Sequence, residues 1–353
     1  MSFCLGFFVC FLAIPALSVV ARRIGLVDKP GGRKQHEGAV PLVGGIAIFF
    51  SILLTAAFSA QINTSLLFSL GALLIIGIYD DFFDMPPVKK LMAQVGICVF
   101  LTTTTGVKIK SLGTLPGGVE LILSHFGLVL TIIAMVGLVN AINMIDGIDG
   151  LAGGLCIMTL LHLVLAMHLI NRLISSSDLT VITAATGALA AFLVFNNMPT
   201  KYKIFLGDSG SMMLGLFLAY FLIKTSQTPP LALTLPTAMV AWIVALPYFE
   251  TLSLIVRRMS LGRSPFSPDR EHLHYLLIDN GLSARRATLL ILSLASIIFW
   301  SGFAISRFDG LISGLIFAIM PLFYYALIIH PLKNRLQKKN QLGQVSKTKR
   351  KND

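Results

Sequence analysis

Charged residues are scarce in this sequence. Asp, Glu, Lys and Arg make up 12% of its 353 residues, whereas 55% of the residues are hydrophobic. A soluble domain carries about a quarter of its residues as charged side chains, because these cover its surface with groups that water solvates. The shortage of charge excludes a soluble globular protein and indicates that most of the surface contacts lipid.

Cysteine is also rare, and its spacing argues against cysteine chemistry. The four cysteines show no CxxC spacing and all fall in apolar stretches, so we expect packed thiols rather than a disulfide or a metal site. They are Cys4, Cys10, Cys98 and Cys156. The sequence also lacks an internal repeat, a low-complexity block and a soluble domain. Any chemistry must therefore be built where helices end.

Long apolar stretches predict an all-α, polytopic integral membrane protein with about eleven transmembrane helices. The first stretch, residues 1–21, has no basic region before it and is followed by Arg22 and Arg23. It is therefore predicted to be a retained helix, not a signal peptide, with the N-terminus periplasmic. The predicted spans are approximately 2–21, 42–60, 66–79, 89–105, 123–141, 152–171, 179–196, 209–225, 233–256, 287–305 and 310–330.

The distribution of the basic residues predicts the topology. The net charge of +12 would suit a nucleic acid, but all except five of the 28 basic residues fall in one set of loops or in the C-terminal tail. The five others are Lys108, Lys110, Arg172, Lys224 and Arg307. The basic side is predicted to be cytoplasmic, with anionic lipid and not nucleic acid as its partner. Residues 1–332 are predicted to form one transmembrane domain, and 333–353 a disordered cytoplasmic tail.

Three carboxylates close the third predicted span. Asp84 shares a helix face with both Asp80 and Asp81. At an effective dielectric of about 20, each pair of such charges within 4 Å costs about 4 kcal/mol. A divalent cation relieves this repulsion, and hard oxygen ligands suit Mg²⁺ that also holds a substrate phosphate. The alternative is a solvated acidic turn before Pro86.

Polar residues recur where the fifth predicted span ends. Asn140, Asn143 and Asp146 project along one side of a helix, and Asp149 follows in a glycine-rich loop. Two asparagines in an apolar membrane helix are costly unless they bind something. The loop leads into a helix start, where backbone N–H groups suit a phosphate. This pattern favours a binding site.

Two further groups flank the later spans. Lys203, Phe205 and Asp208 open the eighth span, and they are candidates for a phosphate contact, a base-stacking ring and a metal ligand. The alternative there is an ordinary helix cap. Arg270, His272 and His274 lie in the loop after the ninth span. Two histidines cannot build a zinc site, so hydrogen bonding to a sugar or phosphate is the functional interpretation and an exposed loop the alternative.

All four groups fall on the predicted cytoplasmic side. Carboxylates beside basic residues at a lipid boundary suit phosphoryl transfer between a Mg²⁺-bound diphosphate and a phosphate anchored in the bilayer. A transporter or lipid flippase is the alternative from another class, but transporters place ionisable sites near the bilayer midplane. A membrane scaffold would not require Asn140 and Asn143.

At these residues the sequence resembles the polyprenyl-phosphate N-acetylhexosamine-1-phosphate transferase family, and within it the WecA type. The resemblance covers about residues 25–282 and rests on five motifs in order. They are GLVDKPGGRKQHEGAVPLVGG, YDDFFD, NAINMIDGIDGLAGG, KYKIFLGDSGS and SPFSPDREHLHY. The family also includes phospho-MurNAc-pentapeptide transferases, which resemble this sequence less because they carry a lysine at the position of Asp84.

The resemblance implies a role for each matching residue. Asp80 and Asp81 would act in Mg²⁺ and phosphate chemistry, with Asp80 as the base, and Asp81 and Asp208 would be metal ligands. The resemblance further implies a nucleotide site lined by Asn143, Asp146 and Asp149, with Phe205 stacked on uracil, while Lys203 stays the candidate for a phosphate contact. Residues 270–274, including Arg270, His272 and His274, would recognise the sugar.

The resemblance also implies a reaction and a location. UDP-GlcNAc and undecaprenyl phosphate would give GlcNAc-diphospho-undecaprenol and UMP, with Mg²⁺ (or Mn²⁺) as cofactor. The reaction would begin O-antigen or another surface polysaccharide at the cytoplasmic face of a bacterial inner membrane. Tyr275 stands where WecA-type proteins have the last histidine of His-Ile-His-His, which leaves another UDP-N-acetylhexosamine open as donor. The oligomeric state, a homodimer included, also stays open.

Overall fold

Long helices run back and forth between two ends of the molecule. The computed structural model describes residues 1–29, 38–59, 63–114, 120–172, 174–199, 201–227, 234–264, 271–308 and 310–337. Its helices are α1 Ser2–Ile24, α2 Gly44–Ser59, α3 Thr64–Phe83, α4 Pro87–Thr105, α5 Phe126–Ile145, α6 Leu151–Leu169, α7 Ser176–Asn196, α8 Gly207–Gln227, α9 Thr237–Ile243, α10 Ala245–Ser260, α11 Leu273–Asp279, α12 Ala284–Phe308 and α13 Gly310–Tyr324.

Many of these helices are suited to lipid. Within the described ranges, eight are long and apolar enough to cross a membrane, and the bent pair α9–α10 would be a ninth. Helix α2 is apolar but shorter. The predicted all-α polytopic membrane protein is thereby confirmed. The number of eleven spans and the orientation of the termini stay predictions.

The predicted span 233–256 is not one straight helix. Helices α9 and α10 meet at an angle of 78° around Val244. Pro247 has no N–H to donate to the carbonyl of Ile243, four residues earlier, and this weakens the helix at the break. The Tyr248 hydroxyl, just beyond the break, donates to the Ala134 carbonyl of α5 at 2.6 Å. The bend thereby packs α10 against α5.

Helix α8 is the central element of the fold. It is buried along most of its length, and it packs against α2, α3 and α5 through glycines. A Cβ atom at Gly77 would lie 2.2 Å from the Ser209 Cα, and one at Gly45 would lie 2.3 Å from the Gly210 Cα. Small residues allow helix backbones in membranes to approach this closely. The close packing brings the acidic end of α3 to the start of α8.

Helix α1 makes a similar contact with α7. A Cβ at Gly6 would lie 2.1 Å from the Ala184 carbonyl oxygen, and one at Gly187 would lie 2.1 Å from that of Phe3. The Ser51 hydroxyl of α2 donates to the Gly6 carbonyl at 2.7 Å. The first and seventh helices are therefore in backbone contact, although many residues separate them in sequence.

Two short hairpins add the only strands of the described chain. Strands β1 (Val27–Asp28) and β2 (Val40–Pro41) pair antiparallel, as do β3 (Ser111–Thr114) and β4 (Glu120–Ile122). The β1–β2 pair lies at the end of the molecule where α3 ends and α8 begins. There the Phe205 N–H donates to the Pro41 carbonyl at 2.9 Å.

The C-terminal boundary lies later than predicted. After a π-helical turn, Tyr325–Ile329, the chain stays helical through residue 337. Lys333, predicted to open the disordered tail, forms an ion pair with Glu271 at 2.8 Å. Residues 338–353 of that predicted tail lie outside the described residues.

Candidate active site

Asp80 and Asp208 meet at the ammonium group of Lys90. Asp80 lies in the last turn of α3, Asp208 in the first turn of α8, and Lys90 in the first turns of α4. The Lys90 Nζ donates to both carboxylates, at 2.6 Å to Asp208 Oδ2. The Asp80 side chain is 6% exposed and that of Asp208 is 41% exposed. Asp208 therefore faces the open side of the site and Asp80 lies beneath Lys90.

The turn after α3 holds Asp80 in place. Asp84 ends the helix in the left-handed region, with φ 51°, and its N–H donates to the Asp80 carbonyl. The Met85 N–H donates to Asp80 Oδ1 at 2.7 Å. Asp84 is exposed, so its own carboxylate is turned away from the centre that Asp80 and Asp208 form. In the sequence Asp84 is grouped with Asp80 and Asp81, whereas the structure leaves Asp84 outside the centre.

Asp81 binds the start of helix α8. Its Oδ1 accepts from the Asp208 N–H at 2.9 Å, and its Oδ2 is 3.3 Å from the Ser209 N–H. The first N–H groups of a helix have no partner within the helix and carry partial positive charge, which favours a carboxylate there. Asp81 thereby joins α3 to Asp208, the other residue that the family resemblance implies as a metal ligand.

Asn143 completes this centre from α5. Its Nδ2 donates to Asp208 Oδ1 and to the Ser211 hydroxyl, both at 2.9 Å. Asn140 does not reach the acids. Its Nδ2 donates instead to Gln94 Oε1 at 2.6 Å. One of the two membrane asparagines thus holds a site residue, whereas the other binds a neighbouring helix.

The loop after α5 carries Asp146 and Asp149 beside Lys203. The Lys203 Nζ pairs with Asp149 Oδ2 at 2.5 Å, and it lies 5.5 Å from the centre of the Phe205 ring. Burial, together with the negative charges of Asp208, Asp81 and Asp149, raises the pKa of Asp146 to about 8. A cation bound by Asp81 and Asp208 would neutralise two of these charges, so the pKa of Asp146 would fall on metal binding.

Neighbouring side chains fix the backbone of this loop. The Gly150 N–H donates to Asn196 Oδ1 at 2.7 Å, and Asn196 Nδ2 donates to the Ile204 carbonyl at 2.9 Å. The Thr288 hydroxyl donates to the Asp149 carbonyl at 3.0 Å. Asn196 and Thr288 were not predicted, because an amide and a hydroxyl near helix ends give no distinctive pattern in sequence.

The histidine segment packs beside the same loop. His272 precedes α11 and stacks on His274, with ring centres 5.5 Å apart, and His274 contacts the Tyr275 ring at 4.1 Å. A Cβ at Gly147 would lie 2.2 Å from His274 Nε2, so the histidine ring lies against the glycine backbone. Arg270 lies outside the described residues.

Sequence reasoning missed two charged residues of this region. In the sequence, Lys90 serves only as one of the basic residues that predict the topology. Its place one turn into the helix that follows the acidic turn was the available signal that it could pair with those acids. Glu250 is 1% exposed, and its Oε1 is 3.0 Å from His272 Nδ1. An isolated carboxylate in an apolar span is costly without a partner, and this cost was the available signal.

The acidic centre suits a hard divalent cation. In the described ranges, no three His, Cys, Asp or Glu side chains are placed so as to enclose an ion. Asp80 and Asp208 nevertheless converge on one positive group, the Lys90 ammonium, and Asp208 has an exposed carboxylate. Carboxylate oxygens near a phosphate site are the ligands that Mg²⁺ prefers. With so few protein ligands, a Mg²⁺ ion here would depend on substrate phosphates for the rest of its coordination.

Helices suited to lipid, with acidic and basic groups joined at one end, define a membrane protein whose site is built for anionic substrates. The model of Glycosyl transferase family 4 matches residues 63–226, which include Asp80, Asp81, Asn143 and Asp208. The chain is 34% identical over 285 residues to the undecaprenyl-phosphate alpha-N-acetylglucosaminyl 1-phosphate transferase of Salmonella typhi, covering 79% of this chain and 76% of that protein.

Two further relatives carry the same name. The Haemophilus influenzae protein is 36% identical over 295 residues, 82% of each chain. The Pasteurella multocida protein is 36% identical over 304 residues, 84% of each chain. Such identity over most of both chains shows that this protein belongs to the polyprenyl-phosphate N-acetylhexosamine-1-phosphate transferase family.

Proposed function

We propose that this protein transfers GlcNAc-1-phosphate from UDP-GlcNAc to undecaprenyl phosphate and releases UMP. The observation that carries the proposal is the convergence of Asp80 and Asp208 on Lys90, with Asn143 bound to Asp208, at the ends of membrane-spanning helices. The relatives' shared name supports the substrates. Both substrates carry phosphate, so a site that brings them together needs positive charge as well as carboxylates.

The reaction is a displacement at the sugar-bearing phosphorus of the diphosphate. An oxygen of the lipid phosphate forms the new bond to this phosphorus. The bond from this phosphorus to the oxygen that bridges the two phosphates of the donor breaks, and UMP leaves with the bridging oxygen. A bound Mg²⁺ would neutralise charge on the diphosphate. Asp81 and Asp208 are the proposed ligands. Lys203 would contact a donor phosphate, and Phe205 would stack on uracil.

Asp80 is the proposed base for the lipid phosphate. In the structure it is buried beneath Lys90 and bound to it. The Lys90 ammonium covers this carboxylate, so a proton on the lipid phosphate could reach Asp80 only after Lys90 has moved aside. We propose that substrate phosphates draw the Lys90 ammonium away from Asp80, and that Asp80 then becomes available to accept the proton.

The remaining proposals concern placement. All of the described site residues lie at one end of the helices, the end from which the predicted cytoplasmic loops emerge. We propose that this end faces the cytoplasm of a bacterial inner membrane, that the N-terminus is periplasmic and the C-terminus cytoplasmic, and that the chain crosses eleven times as one domain. The product would begin O-antigen or another surface polysaccharide.

UMP release tests the proposed function. Purified protein in detergent is given undecaprenyl phosphate, Mg²⁺ and each member of a panel of UDP-sugars. We expect release with UDP-GlcNAc that requires the lipid and stops when EDTA removes the metal, because uncompensated phosphate charges repel. Mn²⁺ is expected to restore it. Release with another donor alone would reassign the sugar, and no release from folded protein would favour a transporter.

Tyr275→His is expected to keep activity with UDP-GlcNAc, with kcat/KM within about threefold of wild type. Tyr275 contacts His274 by its ring, and an imidazole can occupy that position and still donate a hydrogen bond. The measurement is kcat/KM for UDP-GlcNAc and UDP-GalNAc in both proteins. A switch of donor preference would show that Tyr275 selects the sugar.

A further inference from the structure

Glu250 is a buried acid that the proposed reaction does not use. It lies in α10, five residues after the start of that helix, and is 1% exposed. Its Oε1 accepts from the Leu273 N–H at 2.9 Å and is 3.0 Å from His272 Nδ1. Its Oε2 is buried with no hydrogen-bond partner among the described residues. A carboxylate is costly to bury, so the burial of Glu250 at this place calls for a functional explanation.

The two contacts fix the position of the histidine segment. Leu273 is the first residue of α11, and His272 before it makes no side-chain capping bond of its own. Glu250 therefore caps this short helix from another part of the fold, satisfying an N–H group that the helix cannot. His272 is thereby held at a defined distance from α10.

The contact also fixes the imidazole tautomer. An ionised carboxylate can only accept hydrogen bonds, so His272 Nδ1 must carry the hydrogen. The other ring nitrogen, Nε2, is then left to accept from, or when protonated to donate to, another group. This arrangement orients the ring in the same way that second partners orient functional histidines elsewhere.

His272 also affects the packing of the loop that carries Asp146 and Asp149, which is proposed to bind the nucleotide. His272 stacks on His274 with an angle of 18° between the rings, and His274 is completely buried against the Gly147 backbone. Gly147 lies between Asp146 and Asp149. A displacement of His272 would therefore disturb the packing of His274 against the loop proposed to bind the donor.

We infer that Glu250 is a positioning residue for donor binding: its Oε1 holds the His272–His274 segment against the loop of Asp146 and Asp149. The inference rests on the proposed function, since it assigns the segment to the UDP-sugar. The lipid phosphate is assigned to the centre of Asp80, Asp208 and Lys90, with which Glu250 has no contact. Loss of Glu250 therefore weakens the binding of one substrate and not of the other.

Three substitutions at Glu250 test the inference by separate KM values. Glu250→Ala removes the acceptor, and Glu250→Asp withdraws it by one methylene while keeping the charge. Both are expected to raise KM for UDP-GlcNAc about tenfold or more, the effect of losing hydrogen bonds to a charged group. KM for undecaprenyl phosphate should stay within about twofold. Glu250→Gln, whose amide oxygen can accept both bonds, should return the donor KM to within about threefold of wild type.

A matched control and a double variant make the test specific. Asp178→Asn removes a half-buried acid that pairs with Lys224 at the other end of the molecule, and it should leave both KM values unchanged. In a His272→Ala background, Glu250→Ala should raise the donor KM by clearly less than it does alone, because the contact to the His272 ring is already lost and only the contact to the Leu273 N–H remains. Should Glu250→Ala fail to fold, Glu250→Asp carries the same comparison.

The outcomes separate this inference from the proposed function. Equal increases of both KM values, independent losses in the double variant, or an unchanged donor KM in the folded Ala and Asp variants would overturn the inference while the reaction stands. A wild-type protein that releases no UMP from UDP-GlcNAc would overturn both.

Discussion

Asp208→Asn is expected to lower kcat for UMP release by about a thousandfold or more and to leave the protein folded. Asp208 lies in the first turn of α8, and its side chain accepts hydrogen bonds from both Lys90 and Asn143. Asparagine has nearly the same shape and can still accept from Asn143, but it carries no charge for an ion or for Lys90. Loss of one group that stabilises developing charge commonly costs about 10²–10³ in rate, and the loss is expected to be larger here because the bound ion itself would be weakened.

Asp81→Asn should give a similar loss, and Asp84→Asn provides the control. Asp84 belongs to the same acidic motif but is exposed, and its left-handed backbone is well tolerated by asparagine. Asp84→Asn should keep kcat within about threefold. Size-exclusion elution and thermal unfolding establish the folded state of each variant. Near-normal turnover by Asp208→Asn or Asp81→Asn would refute the proposed metal ligands.

Gly77→Ala is expected to reduce activity about a hundredfold and to lower stability by about 1–3 kcal/mol, a typical cost of overpacking. The added Cβ would lie 2.2 Å from the Ser209 Cα and 2.4 Å from its backbone nitrogen. Backbone atoms cannot turn aside as a flexible side chain can, so α3 and α8 must separate. Asp81 lies one turn further along α3 and would lose its bonds to the start of α8.

Gly96→Ala is the matched control for this packing effect. A Cβ at Gly96 would meet nothing within 4 Å, and alanine favours a helix more than glycine does. We expect unchanged activity and equal or slightly higher stability, measured as the midpoint of thermal unfolding together with UMP release. If Gly77→Ala were as active as Gly96→Ala, close contact of α3 and α8 would not be needed for the site.

The helices could be predicted from the sequence, because lipid requires long apolar stretches whose backbone bonds are made internally. The break between α9 and α10 could not, although Pro247 was visible. A proline removes one hydrogen bond, but whether the helix then bends by a small or a large angle depends on neighbours such as Ala134 in α5. Hydropathy contains no information on those neighbours.

The site shows the same division. Asp80 and Asp81, Asn143, and Asp208 belong to three separate sequence groups that share one predicted side of the membrane, and the family resemblance joins them in one site. The structure brings them together. Lys90 and Glu250 were missed as site residues. A lysine at a helix end also serves topology, and the partner of a buried acid depends on tertiary contacts between distant residues.

The packing of α1 against α7 has a consequence for how the protein is made. Gly6 and Gly187 place the two helix backbones in contact, yet α7 leaves the ribosome long after α1. Until then the face of α1 that packs on α7 can meet only lipid, the cell's insertion machinery, or helices made earlier such as α2, whose Ser51 contacts Gly6. Defects at Gly6 should therefore appear late, as fully inserted chains that fail to assemble, and not as chains that fail to enter the membrane.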